Sequence, residues 1–265
     1  MYLGVDVGSV STDAVLIGER GELCAYSIVK SGFDHKYAIN QAIEEVCHKS
    51  GIQREDVKGI VGTGYGRRNV PDALKAITEI SCHAMGIHSI FPEVRTVIDI
   101  GGQDSKVIRI TDNGFVDTFV MNDKCAAGTG RFLEVMAQAM GIGVDELGML
   151  SKKSKKVQPI SSICTVFAES EVISRVAEGS KKEDIIAGIH RAIGERLMGM
   201  VSTIGIRTPI AITGGVAKNS GVVKAISSFV GGIPLVPDEP QIIGALGAAI
   251  YAMNNINSSL EVCNG

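Results

Sequence analysis

The sequence feature that most constrains the fold is an internal repeat of one short motif, an apolar strand that breaks at Asp-x-Gly. The motif occurs in Leu3–Gly8 and again in Val97–Gly101. After both copies come two further β-like runs and then helical patterns, so each copy opens a three-stranded meander. A repeat of this length indicates a supersecondary unit that the chain uses twice. The sequence therefore predicts an α/β protein of two similar lobes, each built from a β-β-β-α-β-α unit, with a ligand cleft between them.

Hydrophobic periodicity and turn residues predict the elements of both lobes. Strands are predicted at residues 2–7, 13–17, 23–29, 57–61, 97–100, 106–111, 115–121, 209–213 and 233–236. Helices are predicted at residues 37–50, 78–91, 129–141, 167–178, 183–203, 217–229 and 242–254. We expect residues 1–95 and 243–265 to form the first lobe, with a returning C-terminal helix, and residues 96–242 to form the second.

Composition excludes several classes of function. The 265 residues are 45% hydrophobic, enough for a substantial core, and a net charge of −3 with well-mixed signs leaves no basic surface for nucleic acid. No apolar run approaches the ~20 residues that cross a bilayer, and the amino-terminal residues lack the pattern of a signal peptide. Six scattered cysteines without a disulfide framework are typical of a reducing compartment, so we expect a cytoplasmic protein with free thiols.

Three glycine-containing loops follow apolar strands and carry polar side chains. The loops after Asp6 and Asp99 occupy the same position of the repeat, and a third loop follows Thr213. Tight glycine turns present backbone N–H groups to phosphate oxygens, and bare backbone lets an adenosine approach. These loops predict a nucleotide site. We assign to it Gly8, Ser9, Val10, Ser11, Thr12, Asp99, Gly101, Gly102, Gln103, Thr213, Gly214, Gly215, Val216, Lys218 and Gln241.

Carboxylates in the first two loops indicate the chemistry of that site. Asp6 and Asp99 are candidate ligands of Mg²⁺, which favours hard oxygen ligands. Asp6, Gln103 and Asp104 are the candidate catalytic residues, because phosphoryl transfer needs mainly a positioned nucleophile and neutralised charge. The chain has no GxxxxGK[ST] motif, so it is not a P-loop enzyme. Each glycine pair, taken alone, is equally explained by a simple strand-to-helix turn.

Three other segments are left open or given an ordinary structural role. Gly62–Arg67 is glycine-rich but lies outside the repeat, and it is interpreted as a hinge or a contact surface. Lys152–Lys156 is interpreted as a solvated loop, or alternatively as a docking patch for an acidic partner. The Cys82–His83 pair lies in a predicted helix, where packing is a better explanation than metal binding.

Two cysteines stand in an unusual setting. Cys125 and Cys164 each lie just before a predicted amphipathic helix, and neither has a nearby cysteine partner. A helix N-terminus favours thiolates and an anionic group bound by them. Two thiolates are too few for a [4Fe–4S] cluster, which usually takes four, but a two-fold dimer would supply four. The alternative for Cys125 is a small buried hydrophobic residue beside a glycine turn. Ordinary core or surface thiols are expected at Cys24, Cys47, Cys82 and Cys263.

Taken together, the motifs resemble those of one protein family. The two Asp-x-Gly loops and Thr213–Val216 are similar to the loops of the actin, Hsp70 and sugar-kinase superfamily. Within it, Asp123–Phe132 and Cys164–Glu171 resemble the activators of 2-hydroxyacyl-CoA dehydratases, which belong to the BadF/BadG/BcrA/BcrD ATPase family. The same resemblance extends to Val97–Asp104, Met121–Lys124, Gly62–Arg67 and Ser81–Ala84, and it covers almost the whole chain.

The resemblance implies a fold, a cofactor and a set of partners. The fold would be two-lobed and ribonuclease H-like. A homodimer would hold one [4Fe–4S] cluster through Cys125 and Cys164 of both subunits. Ferredoxin or flavodoxin would reduce it, and hydrolysis of ATP to ADP with Mg²⁺ would drive a low-potential electron into a 2-hydroxyacyl-CoA dehydratase or a related iron–sulfur acyl-CoA reductase. ATP would act by changing the geometry of the two helices that begin at the cysteines.

Two other functions of the same fold remain open from the sequence. A small-molecule kinase would use Asp6 or Asp104 as a base toward a substrate hydroxyl and would not need Cys125 or Cys164. A nucleotide-gated binding module would hydrolyse ATP without regard to oxygen or to replacement of the cysteines. The paired cysteine motifs favour the electron-transfer activator.

Overall fold

A computed structural model describes residues 1–263 of the chain, with side chains described as far as residue 256. Cys263, expected to be an ordinary thiol, therefore lies outside the residues whose side chains are described. Contacts divide the chain into two compact units. The first comprises Met1–Val94, Ile110–Asp117 and Gln241–Gly265, and the second comprises Arg95–Arg109 and Thr118–Pro240.

The elements follow one another in an α/β order. The strands are β1 (Tyr2–Val7), β2 (Ser11–Ile17), β3 (Leu23–Lys30), β4 (Gly59–Gly64), β5 (Lys75–Ala76), β6 (Thr96–Ile100), β7 (Ser105–Ile110), β8 (Val116–Asn122) and β9 (Ile210–Thr213). The helices are α1 (His35–Ser50), α2 (Glu79–Ile90), α3 (Gly130–Met140), α4 (Leu147–Ser151), α5 (Thr165–Ala177), α6 (Lys182–Ile204), α7 (Ser220–Val230) and α8 (Ile243–Cys263). In the part of the chain that is described, no helix is both long and apolar enough to cross a membrane.

The two sheets repeat one strand order, as the duplicated motif predicts. The first is β3-β2-β1-β4-β5 and the second is β8-β7-β6-β9. In each, the strand that ends at Asp-x-Gly is antiparallel to the next strand in sequence and parallel to the strand that returns after the helices. The predicted duplicated α/β fold is confirmed. The strand that carries the Asp-x-Gly motif is thus an interior strand of its sheet in both units.

Side chains alternate along β1 between two packed faces. Its odd-numbered residues pack with α1 in one hydrophobic cluster, whereas Tyr2 packs with α8 in another. Gly4 and Asp6 share the face of Tyr2. A Cβ on Gly4 would stand 1.9 Å from the carbonyl oxygen of Ala245, so only glycine lets α8 lie this close to the strand. The alternation therefore directs the Asp6 side chain toward the layer that holds α2 and α8.

One predicted strand does not form. Residues 233–236 make only an isolated bridge, between Leu235 and Ala211. Leu235 donates to the Ile210 oxygen at 2.8 Å and accepts from the Ile212 N–H at 2.9 Å. Pro234 and Pro237 lie on either side of Leu235 and Val236 and have no N–H to donate, so the pairing cannot extend into a ladder. Two short elements, β5 and α4, were not predicted.

Candidate functional site

The turn between β1 and β2 is the first predicted phosphate loop. The Gly8 N–H donates to the Ser11 carbonyl at 2.9 Å and closes the turn. Ser31 stabilises the turn with two hydrogen bonds: its Oγ donates to the Gly8 carbonyl at 2.7 Å, and its N–H donates to the Val10 carbonyl at 2.9 Å. Ser9 and Val10 are exposed at the tip. The turn is therefore rigidly held, with its tip open to a ligand.

The remaining side chains assigned to this loop separate into two settings. Gln241 Nε2 donates to Ser11 Oγ at 2.8 Å, so these two predicted residues are neighbours although they lie at opposite ends of the sequence. Thr12 is fully buried, and its hydroxyl lies 3.0 Å from Ser31 Oγ. The Thr12 side chain is thus engaged in the interior of the first unit, and its part in nucleotide binding stays a prediction.

Asp6 lies at the carboxyl end of β1 beside a loop that the sequence left undecided. In the parallel β1–β4 register, Asp6 is paired with Thr63 and Val7 with Gly64. A Cβ on Gly64 would stand 2.3 Å from Asp6 Oδ1, and its φ of 82° is a conformation that favours glycine. The Gly62–Arg67 segment is therefore a neighbour of Asp6. Sequence reasoning missed this because strand pairing across a helix leaves no local signal.

In the second unit, Asp99 is a deeply buried carboxylate with both oxygens engaged. It is 2% exposed. Its Oδ1 accepts from Thr213 Oγ1 at 2.9 Å, and its Oδ2 lies 3.1 Å from Lys106 Nζ. The side chain thereby ties together the ends of β6 and β9, two strands that carry predicted loops. Direct binding of Mg²⁺ by Asp99 would require one of these partners to move, and it stays a prediction.

Lys106 is a buried cation at the second loop that the sequence analysis did not identify. Its side chain is 3% exposed, and its Nζ also lies 2.9 Å from Asp104 Oδ2. It stands opposite Asp99 in the β6–β7 register, at the position that Asp13 occupies opposite Asp6 in the first unit. Comparing the two copies of the repeat position by position would have found it. Lys106 offsets the charge of two of the predicted carboxylates.

The second and third loops approach each other closely within the second unit. The Gly101 N–H donates to the Asp104 carbonyl at 3.0 Å, and Gln103 is exposed on this turn. Gly214 has a φ of 84°, and a Cβ there would stand 2.4 Å from the Ile100 carbonyl oxygen. Glycine at this position lets the third loop run directly against the end of β6. The predicted loop residues from β6 and β9 are thus brought together.

The third loop continues into a short 3₁₀-helix, Gly215–Lys218. The Val216 side chain is buried in the core of the second unit. Any contact of Val216 with a ligand would therefore be made by its backbone. Lys218 Nζ forms an ion pair of 2.8 Å with Glu239 Oε1. The Lys218 side chain is 44% exposed, and its predicted contact with nucleotide stays a prediction.

Cys125 and Cys164 lie on segments that touch. Cys125 Sγ is 4.0 Å from the carbonyl oxygen of Ile163, the residue before Cys164. Cys164 is the N-cap residue of α5, and both thiols are half-buried. The neighbouring residues Ile163, Val166 and Phe167 are 74%, 65% and 64% exposed. The two thiols therefore stand at a surface with an apolar rim.

Asn122 holds the Cys125 loop in shape. Its Nδ2 donates to the carbonyl oxygens of Cys125 and Ala127 at 2.8 and 3.0 Å. The loop then turns through Gly128, whose φ is 86°, and ends at Thr129, the N-cap residue of α3. Asn122 is a supporting residue that belongs to the motif but was not assigned a role from the sequence.

The helix that follows the Cys125 loop is bonded to the second phosphate loop. The Gly130 N–H donates to the Gly101 carbonyl at 2.9 Å, and the Arg131 N–H donates to the Gly102 carbonyl at 2.8 Å. The first N–H groups of a helix have no partner inside it, and here the loop supplies partners from outside. One segment therefore runs from Cys125 to the backbone of the predicted phosphate site.

The donor set fits one half of an iron–sulfur cluster. Iron–sulfur clusters are held by cysteine thiolates, usually four. The chain offers two half-buried thiols on touching segments, one of them at a helix N-terminus. Within the described residues, no group of three or more His, Cys, Asp or Glu side chains could hold a metal ion. A set of four thiolates would need two thiolates besides Cys125 and Cys164.

The sequence also matches a known family over nearly its whole length. The family model for the BadF/BadG/BcrA/BcrD ATPase family matches residues 3–252. The chain belongs to this ATPase family. The family resemblance drawn from the cysteine and glycine motifs is thereby confirmed.

Three known proteins are similar to this chain at nearly equal identity. The activator of the 2-hydroxyisocaproyl-CoA dehydratase from Clostridium difficile, solved with bound ADPNP, has a TM-score of 0.94 and 47% identity over 98% of this chain and 97% of its own. Component A of the Acidaminococcus fermentans (R)-2-hydroxyglutaryl-CoA dehydratase has a TM-score of 0.94 and 46% identity over 97% and 98%. An activator of lactoyl-CoA dehydratase from Anaerotignum propionicum is 47% identical over 95% and 97%.

A more distant similarity concerns the fold alone. A ROK family glucokinase from Streptomyces griseus has a TM-score of 0.59 at 16% identity, over 96% of this chain and 99% of its own. This chain therefore has the actin, Hsp70 and sugar-kinase fold that the sequence motifs indicate.

Proposed function

We propose that this chain is an ATP-dependent activator that delivers a low-potential electron to a 2-hydroxyacyl-CoA dehydratase or a related iron–sulfur acyl-CoA reductase. The observation that carries the proposal is the bonded path from the second phosphate loop to the Cys125 segment, through Gly130 and Arg131. Family membership and three relatives named as dehydratase activators or components support it. Because those relatives serve three different dehydratases at almost equal identity, the acyl-CoA is not assigned.

The nucleotide half of the proposal uses the two Asp-x-Gly turns and the third loop. The Gly8–Ser11 turn and the Gly101–Asp104 turn would bind phosphate oxygens of ATP through backbone N–H groups. Lys106 would keep the charge at the second turn balanced as carboxylates and phosphates come together. Asp6, Gln103 and Asp104 would orient the attacking water and the Mg²⁺ that accompanies the nucleotide, since phosphoryl transfer depends mainly on positioning and charge neutralisation.

The thiol half of the proposal requires a homodimer. Cys125 and Cys164 of two copies would together hold one [4Fe–4S] cluster, and the exposed rim of Ile163, Val166 and Phe167 would be covered by the second copy. When bound, the cluster would supply one-electron redox chemistry at low potential, with ferredoxin or flavodoxin as the donor.

The two halves would be coupled through α3. A ligand that draws the Gly101–Gly102 backbone toward phosphate also draws the first turn of α3, because two hydrogen bonds join them. The Cys125 loop is continuous with that turn and is itself held by Asn122. A change of nucleotide state would therefore alter the setting of Cys125, and this is how ATP hydrolysis would gate electron delivery.

The proposal is tested with protein purified without oxygen and a panel of the dehydratases served by the three relatives. ATP hydrolysis and dehydratase activation are measured together for wild type, Cys125→Ser and Cys164→Ser. Cys24→Ser is the matched control, because Cys24 is an exposed free cysteine on β3. We expect wild type and the control to hydrolyse ATP and to activate at least one dehydratase.

Cys125→Ser and Cys164→Ser should retain ATP hydrolysis and lose the ability to activate a dehydratase. If Cys125→Ser and wild type activate a dehydratase equally, the proposal that electrons pass through this site is wrong. Transfer of the γ-phosphate to a small-molecule hydroxyl, independent of both cysteines, would instead support the kinase alternative.

A further inference from the structure

His83 stands next to Asp6 in the first unit, although sequence reasoning interpreted it as a packing residue. A Cβ built on Gly244 would lie 2.1 Å from Asp6 Oδ2 and 3.1 Å from His83 Nε2. The carboxylate oxygen and the ring nitrogen therefore approach the same glycine, in the first turn of α8. The absence of a side chain at Gly244 leaves the space that the two groups share.

Three elements bring His83 to this position. Thr78 caps α2 and fixes its first turn, and His83 lies on the face of α2 that packs against α8. The helices approach closely, because a Cβ on Gly247 would stand 1.8 Å from the Cys82 carbonyl oxygen. The alternation of β1 directs Asp6 toward the same layer. His83 is 5% exposed, so its imidazole depends on protein groups for hydrogen bonding.

The Asp6 carboxylate is confined from both sides. Gly64 lies against its Oδ1 and Gly244 against its Oδ2, so a side chain at either glycine would displace it. The negative charge of Asp6 also affects a neighbouring residue of α2. Burial raises the pKa of the neighbouring Cys82 thiol to about 12, and the negative charge of Asp6 contributes in the same direction. Cys82 thus stays a neutral thiol, and His83 is the residue beside Asp6 whose ring can donate an N–H.

We propose that His83 is a positioning residue for ATP hydrolysis, whose Nε2–H donates to the Asp6 carboxylate and holds it in one orientation at the first phosphate loop. The role rests on the proposed ATPase function, because it acts through Asp6. A carboxylate held by a donor and two glycines cannot rotate away when Mg²⁺ and nucleotide arrive. Outer partners of this kind typically change metal affinity or activity by about 10- to 100-fold when removed.

The test compares His83→Ala, His83→Gln and a matched control in steady-state ATP hydrolysis. The control is His190→Leu, because His190 is an equally buried histidine in α6, outside all the predicted loops. For His83→Ala we expect kcat to fall about 10- to 100-fold. The melting temperature, and the affinity for ADP measured without Mg²⁺, should change little. His83→Gln, which keeps a side-chain N–H donor, should recover much of the loss, and the control should match wild type.

A second measurement examines the pair without any nucleotide. The ¹⁵N chemical shifts of the His83 ring are compared between wild type and Asp6→Asn. A shift of the Nε2 resonance in the variant supports the hydrogen bond, and unchanged shifts overturn it. An unaltered kcat in His83→Ala also overturns the positioning role while leaving the proposed function standing. Wild-type protein without ATPase activity would defeat the proposed function, and the ring shifts would still decide whether His83 binds Asp6.

Discussion

The Gly130 N–H donates a hydrogen bond of 2.9 Å to the carbonyl oxygen of Gly101, and this bond joins the helix after Cys125 to the second phosphate loop. The Arg131 N–H repeats the contact at Gly102 with a distance of 2.8 Å. All four residues belong to one compact unit. The proposed nucleotide site and the proposed thiol site are therefore connected by backbone rather than by long side chains, and substitutions that move this backbone should uncouple them.

Gly130→Ala is the substitution that tests this connection. A Cβ at Gly130 would stand 3.2 Å from the Gly101 oxygen and 3.2 Å from the Gly102 Cα, so the loop or the helix must shift slightly. We expect less dehydratase activation per ATP hydrolysed, because ATP hydrolysis continues while its coupling to Cys125 weakens. Gly199→Ala in α6 is the control, since a Cβ there meets nothing within 4 Å. Equal coupling ratios in both variants would contradict the α3 connection.

Lys106→Met should strongly destabilise the second unit. The substitution removes the cation that faces the buried Asp99, and leaving a buried charge unpaired typically costs about 3–5 kcal/mol. The free energy of unfolding is measured by denaturant titration. Lys58→Met, which breaks the exposed Lys58–Glu19 pair, should cost far less, because solvent screens an exposed ion pair. Adding Asp99→Asn to Lys106→Met should recover part of the loss, and no recovery would contradict the charge argument.

Asn122→Asp should loosen the Cys125 loop, although the two side chains have nearly the same size. The aspartate cannot donate, yet it would face the carbonyl oxygens of Cys125 and Ala127 that Asn122 now binds. We expect a loss of about 1–3 kcal/mol in unfolding free energy and faster release of iron to a chelator. Asp123→Asn, at an exposed position next to it, is the control. Iron retention equal to that of the control would show that Asn122 does not support the metal site.

His190 should make the protein sensitive to mild acid. Neither ring nitrogen has a hydrogen-bond partner among the side chains that the structure describes, and burial lowers the pKa of the imidazole to about 4. The unfolded chain takes up the proton below its ordinary pKa of 6.5, whereas the folded chain resists it. Stability should therefore fall as pH drops from 6.5 toward 4, by up to about 3 kcal/mol from this group.

His190→Leu tests that assignment directly. The variant has no titrating ring and no buried unpartnered nitrogen, so it should be at least as stable as wild type at pH 7. Its unfolding free energy should change less between pH 6.5 and pH 4. If wild type and variant lose stability in parallel over this range, other groups control the acid response.

The sequence predicted what depends on local patterns. The Asp-x-Gly repeat predicted that both units share one β-β-β-α-β-α plan, and the cysteine positions relative to α3 and α5 followed from helical periodicity. Long-range pairing was out of reach. Lys106 opposes Asp99 only through the register of β6 and β7, and Gly64 reaches Asp6 only because β4 pairs with β1. His83 looked like a packing residue because its neighbour Gly244 lies far away in the sequence.

We propose that two copies of this chain share one cluster through Cys125 and Cys164. The most direct measurement is iron and acid-labile sulfide per dimer, on protein purified without oxygen, for wild type and Cys125→Ser side by side. We expect about four of each in the wild-type dimer and their loss in the variant. A wild-type protein that dimerises and hydrolyses ATP but stays free of iron after anoxic reconstitution would contradict it.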